Sequence, residues 1–527
     1  MPSVDDIIRK KLDPFYLERI VYRKGADVDL SKKAKSASKR TFVLYVVLNS
    51  YRARENPALD VAKCLAENLN LPLVVYAFYD DKTKHATHRR ATFFLEGARD
   101  FQQDLLSEQG LPLVFYLNRA QMRQPYHLTL GCRAVCIVTD EPFVAPNADI
   151  VARLSTSCCG TPLISVDTAC ILPARATSKS WTNRAFIFRS ETTGERRKRL
   201  KTAYPRKSKP LAAHLRCLKT ISQLLPFVPL DLSERAISEI VAQLDIDKSV
   251  RAVRHTRGGG SEARRRWKNF VASGRLGRYD KKRNNPLSNG VSRMSAFLNY
   301  GHVSPWRVGR DAIEATRNKK TRKGAEKFID EFFIWRELAY SMCFHHPKHL
   351  IASNVLPRWA FETLSAHARD TRRTLELETL ERAETGQDLW DVIQKNLAET
   401  GEVHNNLRMT WGKQLLHWVS GPPQKIYETI VHLNDKFALD GLSPPSYAGV
   451  LWCLGWADSP KPERPIFGRV RYRSAESVRI RYDLNDLRAH GRALVDFKHT
   501  QQSPPLLRRF FCVERSAKRL KTGVDVE

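Results

Sequence analysis

From residue 41 to about residue 175 the chain alternates two patterns of apolar and polar positions. Residues 41–48 (TFVLYVVL) form an unbroken apolar and β-branched run, as a strand buried on both faces requires. Residues 71–78, 111–117, 134–139 and 163–166 repeat the type, and helical stretches at 58–68 and 88–110 lie between them. This alternation predicts an α/β domain over 41–175 built on a doubly wound parallel sheet. No G-x-G-x-x-G or G-x-x-x-x-G-K-[ST] follows any of the strands, so the usual dinucleotide and phosphate-loop sites are not expected there. From about 261 to 512 the pattern becomes mostly helical, with long amphipathic segments at 326–344, 402–419 and 423–433.

The remaining segments read as connections. Residues 1–40 end in the basic, Ser-rich run SKKAKSASKR and are expected to be a flexible tail, either a nuclear-import signal or a solvated arm. Residues 176–260 read as a charged, Pro-punctuated connector closed by Gly258-Gly259-Gly260. Residues 513–527 read as a short basic tail.

Composition narrows the class. A chain of 527 residues exceeds one ordinary core, and 42% apolar residues suffice for globular packing. No apolar run reaches membrane-helix length, and the first 40 residues contain no signal-peptide core. The ten cysteines show no paired C-x-x-C spacing, so reduced thiols are expected, in a nuclear compartment first, with cytoplasmic or organellar ones open. His345, His346 and His349 lack acidic or Cys partners at ligand spacing, and no metal is expected. A net charge of +32, clustered at Arg264-Arg265-Arg266 and Lys281-Lys282-Arg283, points to a polyanionic partner, nucleic acid above all.

Nine of the ten tryptophans lie in the helical half. Trp411 and Trp418 are seven residues apart. On one α-helix that spacing places both indoles on one face, roughly 10 Å apart along the axis. Packed indoles, with Trp390 as a third, can pass an electron stepwise; large aromatics at helical spacing are also ordinary core. Glu331 and Trp335, at i and i+4, share a helix face where a carboxylate and an indole can engage one flat base. Glu331 also reads as an ion-pair partner of Lys327 or Arg336, and His404 as a helix cap or a ligand contact.

Taken in order, the stretches 52–59 (RARENPAL), 292–301 (SRMSAFLNYG), 331–338 (EFFIWREL), 407–413 (LRMTWGK), 433–441 (LNDKFALDG) and 463–472 (ERPIFGRVRY) resemble the photolyase/cryptochrome flavoprotein family, closest to the class II cyclobutane pyrimidine dimer photolyases. The resemblance implies an antenna domain followed by an all-α FAD-binding domain. It assigns Tyr279, Val291, Ser292, Arg293, Met294 and Ser295 to FAD, with Arg408 and Asp440 as a polar pair near the isoalloxazine ring. It places Trp411, Trp390 and Trp418 on an electron-transfer chain, in that order from the flavin outward. Glu331 falls on the lesion-contacting carboxylate, and Trp335, Met409 and Asn405 on substrate contacts. Ultraviolet-damaged DNA, a monomer, and a second antenna chromophore of deazaflavin or folate type are the implied partners and pigments.

Two positions depart from the family pattern. Pro445 stands where an Asn faces flavin N5, and proline has neither a side-chain donor nor an N–H. Lys461 stands where a second lesion-packing Trp is expected. The expected activity is light-driven dimer repair. A blue-light photoreceptor of the same fold is the alternative, and a nucleic-acid-binding module without flavin is the more distant one.

Overall fold

The computed structural model describes residues 3–28, 42–205, 210–216, 218–348 and 350–497. The basic run at 31–40 and the tail at 513–527 lie outside these residues.

Six strands form one sheet: β1 (Ile20–Lys24), β2 (Val43–Val46), β3 (Leu73–Asp80), β4 (Leu113–Asn118), β5 (Cys136–Asp140) and β6 (Leu163–Val166), in the order β1-β6-β5-β2-β3-β4. β2 to β6 pair in parallel, as their continuous apolar runs require. Alternate side chains of these strands enter different cores. Val43, Tyr45, Val75 and Ala77 join one cluster, and Leu44, Val46, Val74 and Tyr76 join another on the opposite face. The helices Pro57–Leu69 and His88–Gln109 are capped by the side chains of Asn56 and Thr87 and end on left-handed Asn70 and Gly110.

The first residues are not the tail that their charge pattern predicts. Ser3 caps the helix Val4–Lys11, whose Val4, Ile7 and Ile8 are buried, and β1 adds an antiparallel edge to the sheet. Its basic residues, exposed Arg23 and half-buried Lys24, suit an edge strand and hide it in the sequence. The segment 176–260 is likewise more than a connector. It holds the helix Ala185–Lys201, and its Leu211, Leu215, Leu232, Ile237, Ile240, Val241 and Leu244 are buried in the core on one face of the sheet. The helical half follows. Its amphipathic stretch at 326–344 is interrupted: an α-helix to Asp330 passes through one π turn, Glu331–Trp335, before α-geometry resumes at Arg336–His345.

Two junctions tie the halves together. At the first, Arg89 and Arg90, on the opening turn of the His88–Gln109 helix, reach into the helical half. Arg89 donates to the carbonyls of Leu397, Ala398, Glu399 and Phe437, at two helix C-termini, and to that of Arg251. Arg90 donates to the carbonyls of Asp435, Ala438 and Gly441. At the second, buried Glu337 accepts the backbone N–H of Ile171 at 2.6 Å and of Leu172 at 3.2 Å, just beyond β6, while Arg336 donates to the Ala169 carbonyl.

Burial outweighs these amide contacts and lifts the Glu337 carboxyl to about 7 from its ordinary 4.5. Between those values the folded chain holds a proton that the unfolded chain has released. The stability this group contributes is full below about pH 4.5 and is lost as pH rises through about 7. Glu337→Gln is expected to remove that slope. The check is the urea midpoint of both proteins between about pH 5 and about pH 8; an equal pH dependence in the two would refute the assignment.

Candidate functional site

The helix Asp388–Thr400 starts at Gln387, whose side chain accepts the Trp390 N–H, and stops at left-handed Gly401. After a short turn the helix Asn405–Gln414 begins under His404. The His404 Nδ1 accepts the Asn406 N–H, and its Nε2 bonds the Arg283 carbonyl at 2.9 Å. Burial brings this imidazole down to about 4, so it is neutral, with Nε2 the protonated nitrogen. Of the two roles the sequence leaves open for His404, the structure shows the cap.

These two helices stack the predicted tryptophans. The Trp390 and Trp411 rings lie 6.2 Å apart at 8°, and Trp418 meets Trp390 edge-on at 5.3 Å and 85°. The Trp390 Nε1–H donates to the Trp411 carbonyl and the Trp411 Nε1–H to Gln394, each at 3.0 Å. Trp390 and Trp411 are 1% exposed and Trp418 is 7%. The one-face argument for Trp411 and Trp418 does not hold. The α-helix ends at Gln414, tightens into a 3₁₀ turn at Leu415–His417, and leaves Trp418 beyond it. Trp390, from the neighbouring helix, is what joins them.

One turn before Trp411, Arg408 donates to Asp440 at 2.9 Å. Asp440 sits on a constrained loop. Leu442 takes φ +53°, a strained choice for a branched residue. Buried Asp435 holds it there by accepting the Leu442 N–H at 2.9 Å and the Tyr447 hydroxyl at 3.0 Å. Ser443 donates to the Asp440 carbonyl and caps the helix Pro444–Cys453. Pro445 falls in the first turn of that helix, where the missing N–H costs no helical bond, and it is exposed.

Tyr279 packs edge-on against Phe328 at 5.3 Å, with the Arg283 guanidinium over its ring; burial, with the Glu331 charge, raises its hydroxyl to about 12. Arg283 and Lys327 each lie 2.8 Å from a Glu331 oxygen. Of the two partners read from the sequence for Glu331, Lys327 is present, whereas Arg336 turns to the Ala169 carbonyl and the Tyr340 ring. Tyr279 and Glu331, assigned to cofactor and lesion respectively, thus share one cluster. Trp335 is 38% exposed beside it. Met409 is buried and Asn405 is exposed at its helix start.

In the segment 291–295, Val291 and Ser292 are half-buried, Arg293 is left-handed at φ +55°, Met294 is buried, and Ser295 opens the short helix Ser295–Asn299. Arg293 leads to a residue that the sequence reading does not single out. The Glu402 carboxylate faces Arg293 at 3.4 Å, His255 at 3.7 Å and Arg266 at 3.8 Å, and accepts the Thr256 hydroxyl at 3.0 Å. Burial opposes its charge, but Arg293, His255 and Arg266 hold it down to about 2. Lys413 is also unanticipated: it is fully buried on the Trp411 helix and donates to the Cys453 carbonyl at 3.0 Å.

The basic run at 264–266 is largely paired, Arg264 with Asp104 and both Arg265 and Arg266 with Glu262. Exposed arginines also gather along one stretch, at Arg464, Arg469, Arg471, Arg479 and Arg481, of which Arg471 pairs with Asp458 and Arg479 with Glu476. Lys461 is half-buried at the head of that stretch, its ammonium on the Ser459 hydroxyl.

The group the family implies is FAD. Arg408 Nε is buried with no hydrogen-bond partner among the described residues, beside the Arg408–Asp440 pair. A polar ligand edge satisfies it, so the site fits such a group. A separate cavity of about 140 Å³ opens where the C-terminal ends of the strands face the helical half, lined by Asn49, Phe78, Arg90, Asn147, Tyr300 and Tyr340 among others. Among the described residues no cluster could hold a metal ion, and no helix is long and apolar enough to cross a membrane.

No family model matches the chain. It is 29% identical over 484 residues to the deoxyribodipyrimidine photo-lyase of Methanothermobacter thermautotrophicus, spanning 91% of this chain and 99% of that protein. The enzyme of the same name from Arabidopsis thaliana is 28% identical over 481 residues, spanning 86% and 89%. Two solved structures share the fold: a class III photolyase from Agrobacterium tumefaciens (TM-score 0.58, 16% identity, 90% of this chain and 92% of that one) and a Synechocystis cryptochrome (TM-score 0.62, 14% identity, 89% and 94%). Over nearly its whole length the chain is thus similar to deoxyribodipyrimidine photo-lyases, and it shares the two-part fold of solved photolyase and cryptochrome structures.

Proposed function

We propose that the protein is a class II-type DNA photolyase that uses FAD to repair cyclobutane pyrimidine dimers under blue light. The observation that carries this reading is the unbroken contact of Trp411, Trp390 and Trp418, beginning one helical turn from the Arg408–Asp440 pair. Arg408 and Asp440 would hold the ring end of the cofactor, and Tyr279, Val291, Ser292, Arg293, Met294 and Ser295 the remainder. When bound, reduced FAD supplies an electron on blue-light excitation. The three indoles then form a wire of adjacent oxidisable rings by which outside reductant reaches the site. Arg283 and Lys327 hold the Glu331 carboxylate in place, each 2.8 Å from one of its oxygens, so it is available to the edge of a flipped-out base. Trp335 offers an exposed indole face for stacking. The exposed arginines at 464–481 hold phosphates around the lesion, which positions DNA without reading its sequence. The cavity at the strand ends suits a planar second chromophore of deazaflavin or folate type.

A blue-light photoreceptor of the same fold is the second reading. Pro445 and Lys461 favour it, because they put a donor-less ring and a cation where the family pattern has an amide and an indole. Blue-light treatment of a thymine-dimer oligonucleotide with the FAD-loaded protein decides between the two. Restored, dimer-free thymines support the photolyase, and Glu331→Ala should lower that yield. A flavin-loaded, photoreducible protein that leaves the dimer intact would establish the photoreceptor reading.

A further inference from the structure

The helices Tyr126–Arg133 and Asn147–Ser157 pack side by side, and their C-terminal ends bring thiols together. The Cys132 thiol donates to Cys158 Sγ at 3.5 Å across 26 residues of chain. Cys132 is partly exposed and Cys158 is 1% exposed. Glycine at 131 allows this approach: a Cβ there would stand 2.7 Å from the Cys158 sulfur. Cys159, the next residue, is exposed, and its thiol points to the Thr156 carbonyl.

We propose that Cys132 and Cys158 form a reversible disulfide when the protein meets hydrogen peroxide. The sulfurs are already neighbours, within about 1.5 Å of the length of an S–S bond. Burial, with the hydrogen bond from Cys132, raises the Cys158 thiol to about 12, which leaves the more accessible Cys132 as the first nucleophile. Its thiolate attacks one peroxide oxygen; the O–O bond breaks, a sulfenic acid forms at Cys132, and water leaves after protonation. The Cys158 sulfur then attacks the sulfenic sulfur, its S–H proton leaves with the hydroxyl as a second water, and the S–S bond forms. Two thiols are oxidised and one peroxide is reduced.

The bond would join two helices that shape the strand-end cavity. Asn147 and Ile150 of one helix line it directly. His127 of the other stacks at 5.1 Å and 4° on Phe78, which also lines it. The disulfide would therefore stiffen one wall of that cavity.

The test is to treat the full-length protein with hydrogen peroxide, alkylate it, digest it, and map the cysteines by mass. The expected product is a Cys132–Cys158 linked peptide pair that dithiothreitol releases. It should form equally well in Cys159→Ser and be lost in Cys132→Ser, and the melting transition of oxidised wild type should rise by a few degrees. A main product linked through Cys159, or sulfinic acid at Cys132 with Cys158 still alkylated, would overturn the proposal. The mapping of wild type and of Cys159→Ser decides the matter even if Cys132→Ser fails to fold.

Discussion

Trp390→Phe is expected to abolish net light-driven reduction of bound flavin while the flavin stays bound. Trp390 is the middle ring, stacked on Trp411 at 6.2 Å and met edge-on by Trp418 at 5.3 Å. A phenyl ring is far harder to oxidise than an indole, so the substitution opens the wire at its one bridging position. Trp411→Phe should match it, and Trp418→Phe should leave a first transfer that recombines. If these rings serve only as core, the outcome differs. The variant would then lose about 1–3 kcal/mol of stability, through the shape change and the buried Trp411 carbonyl left without its donor, and photoreduction would be intact. Flavin bleaching under anaerobic blue light, measured alongside the melting temperature, separates the two. Normal bleaching in Trp390→Phe would reduce the tryptophan cluster to packing.

The second large effect is expected at Arg89, far from any proposed chemistry. Arg89→Ala should destabilise the protein by about 3–5 kcal/mol, because five carbonyls lose their donor in a buried setting. Burial, and then Arg90 beside it, lowers the Arg89 guanidinium to about 10, which leaves it charged at neutral pH. Lysine should rescue little. One ammonium carries three donors on a point, whereas the guanidinium fork reaches two helix ends and the Arg251 carbonyl at once. Because Arg90 holds the 435–441 loop from the same turn, flavin release should accompany the loss of stability. Urea unfolding followed through flavin fluorescence provides the measurement, and a change under about 1 kcal/mol would mean that the halves are joined mainly by apolar contact.

The two junction arginines show what a sequence conceals. Nothing around Arg89-Arg90 in the sequence names their partners; only the fold brings the open ends of two distant helices against them. Glu402 is hidden in the same way, because its partners Arg293, Arg266 and His255 come from segments far apart in the chain. β2 to β6 are legible because burial on both faces leaves no polar position to blur the run. β1 is hard to read because its apolar run is only Ile20-Val21-Tyr22, cut short by Arg23 and Lys24. In the site, Glu331 and its i+4 partner Lys327 could be read locally, but Arg283 could not. The stacking of Trp390 between the other two indoles depends on how two helices cross, which spacing within one of them does not encode. The pairing within the run at 264–266 was not legible, because a run of arginines does not reveal the acids it will meet, Glu262 and Asp104 here.

The antiparallel pairing of β1 with β6 has a consequence for the order of assembly. Ile20 faces Val166, so the strand made first at the ribosome has no partner until nearly the whole sheet has been synthesised. Closing so long a loop is slow beside the local contacts of β2 and β3, and the N-terminal helix and β1 are therefore late arrivals on a sheet whose other strands can already have paired. Until they dock, the outer edge of β6 is open to strand addition from another chain, and the nascent protein is most exposed to misassembly at this edge.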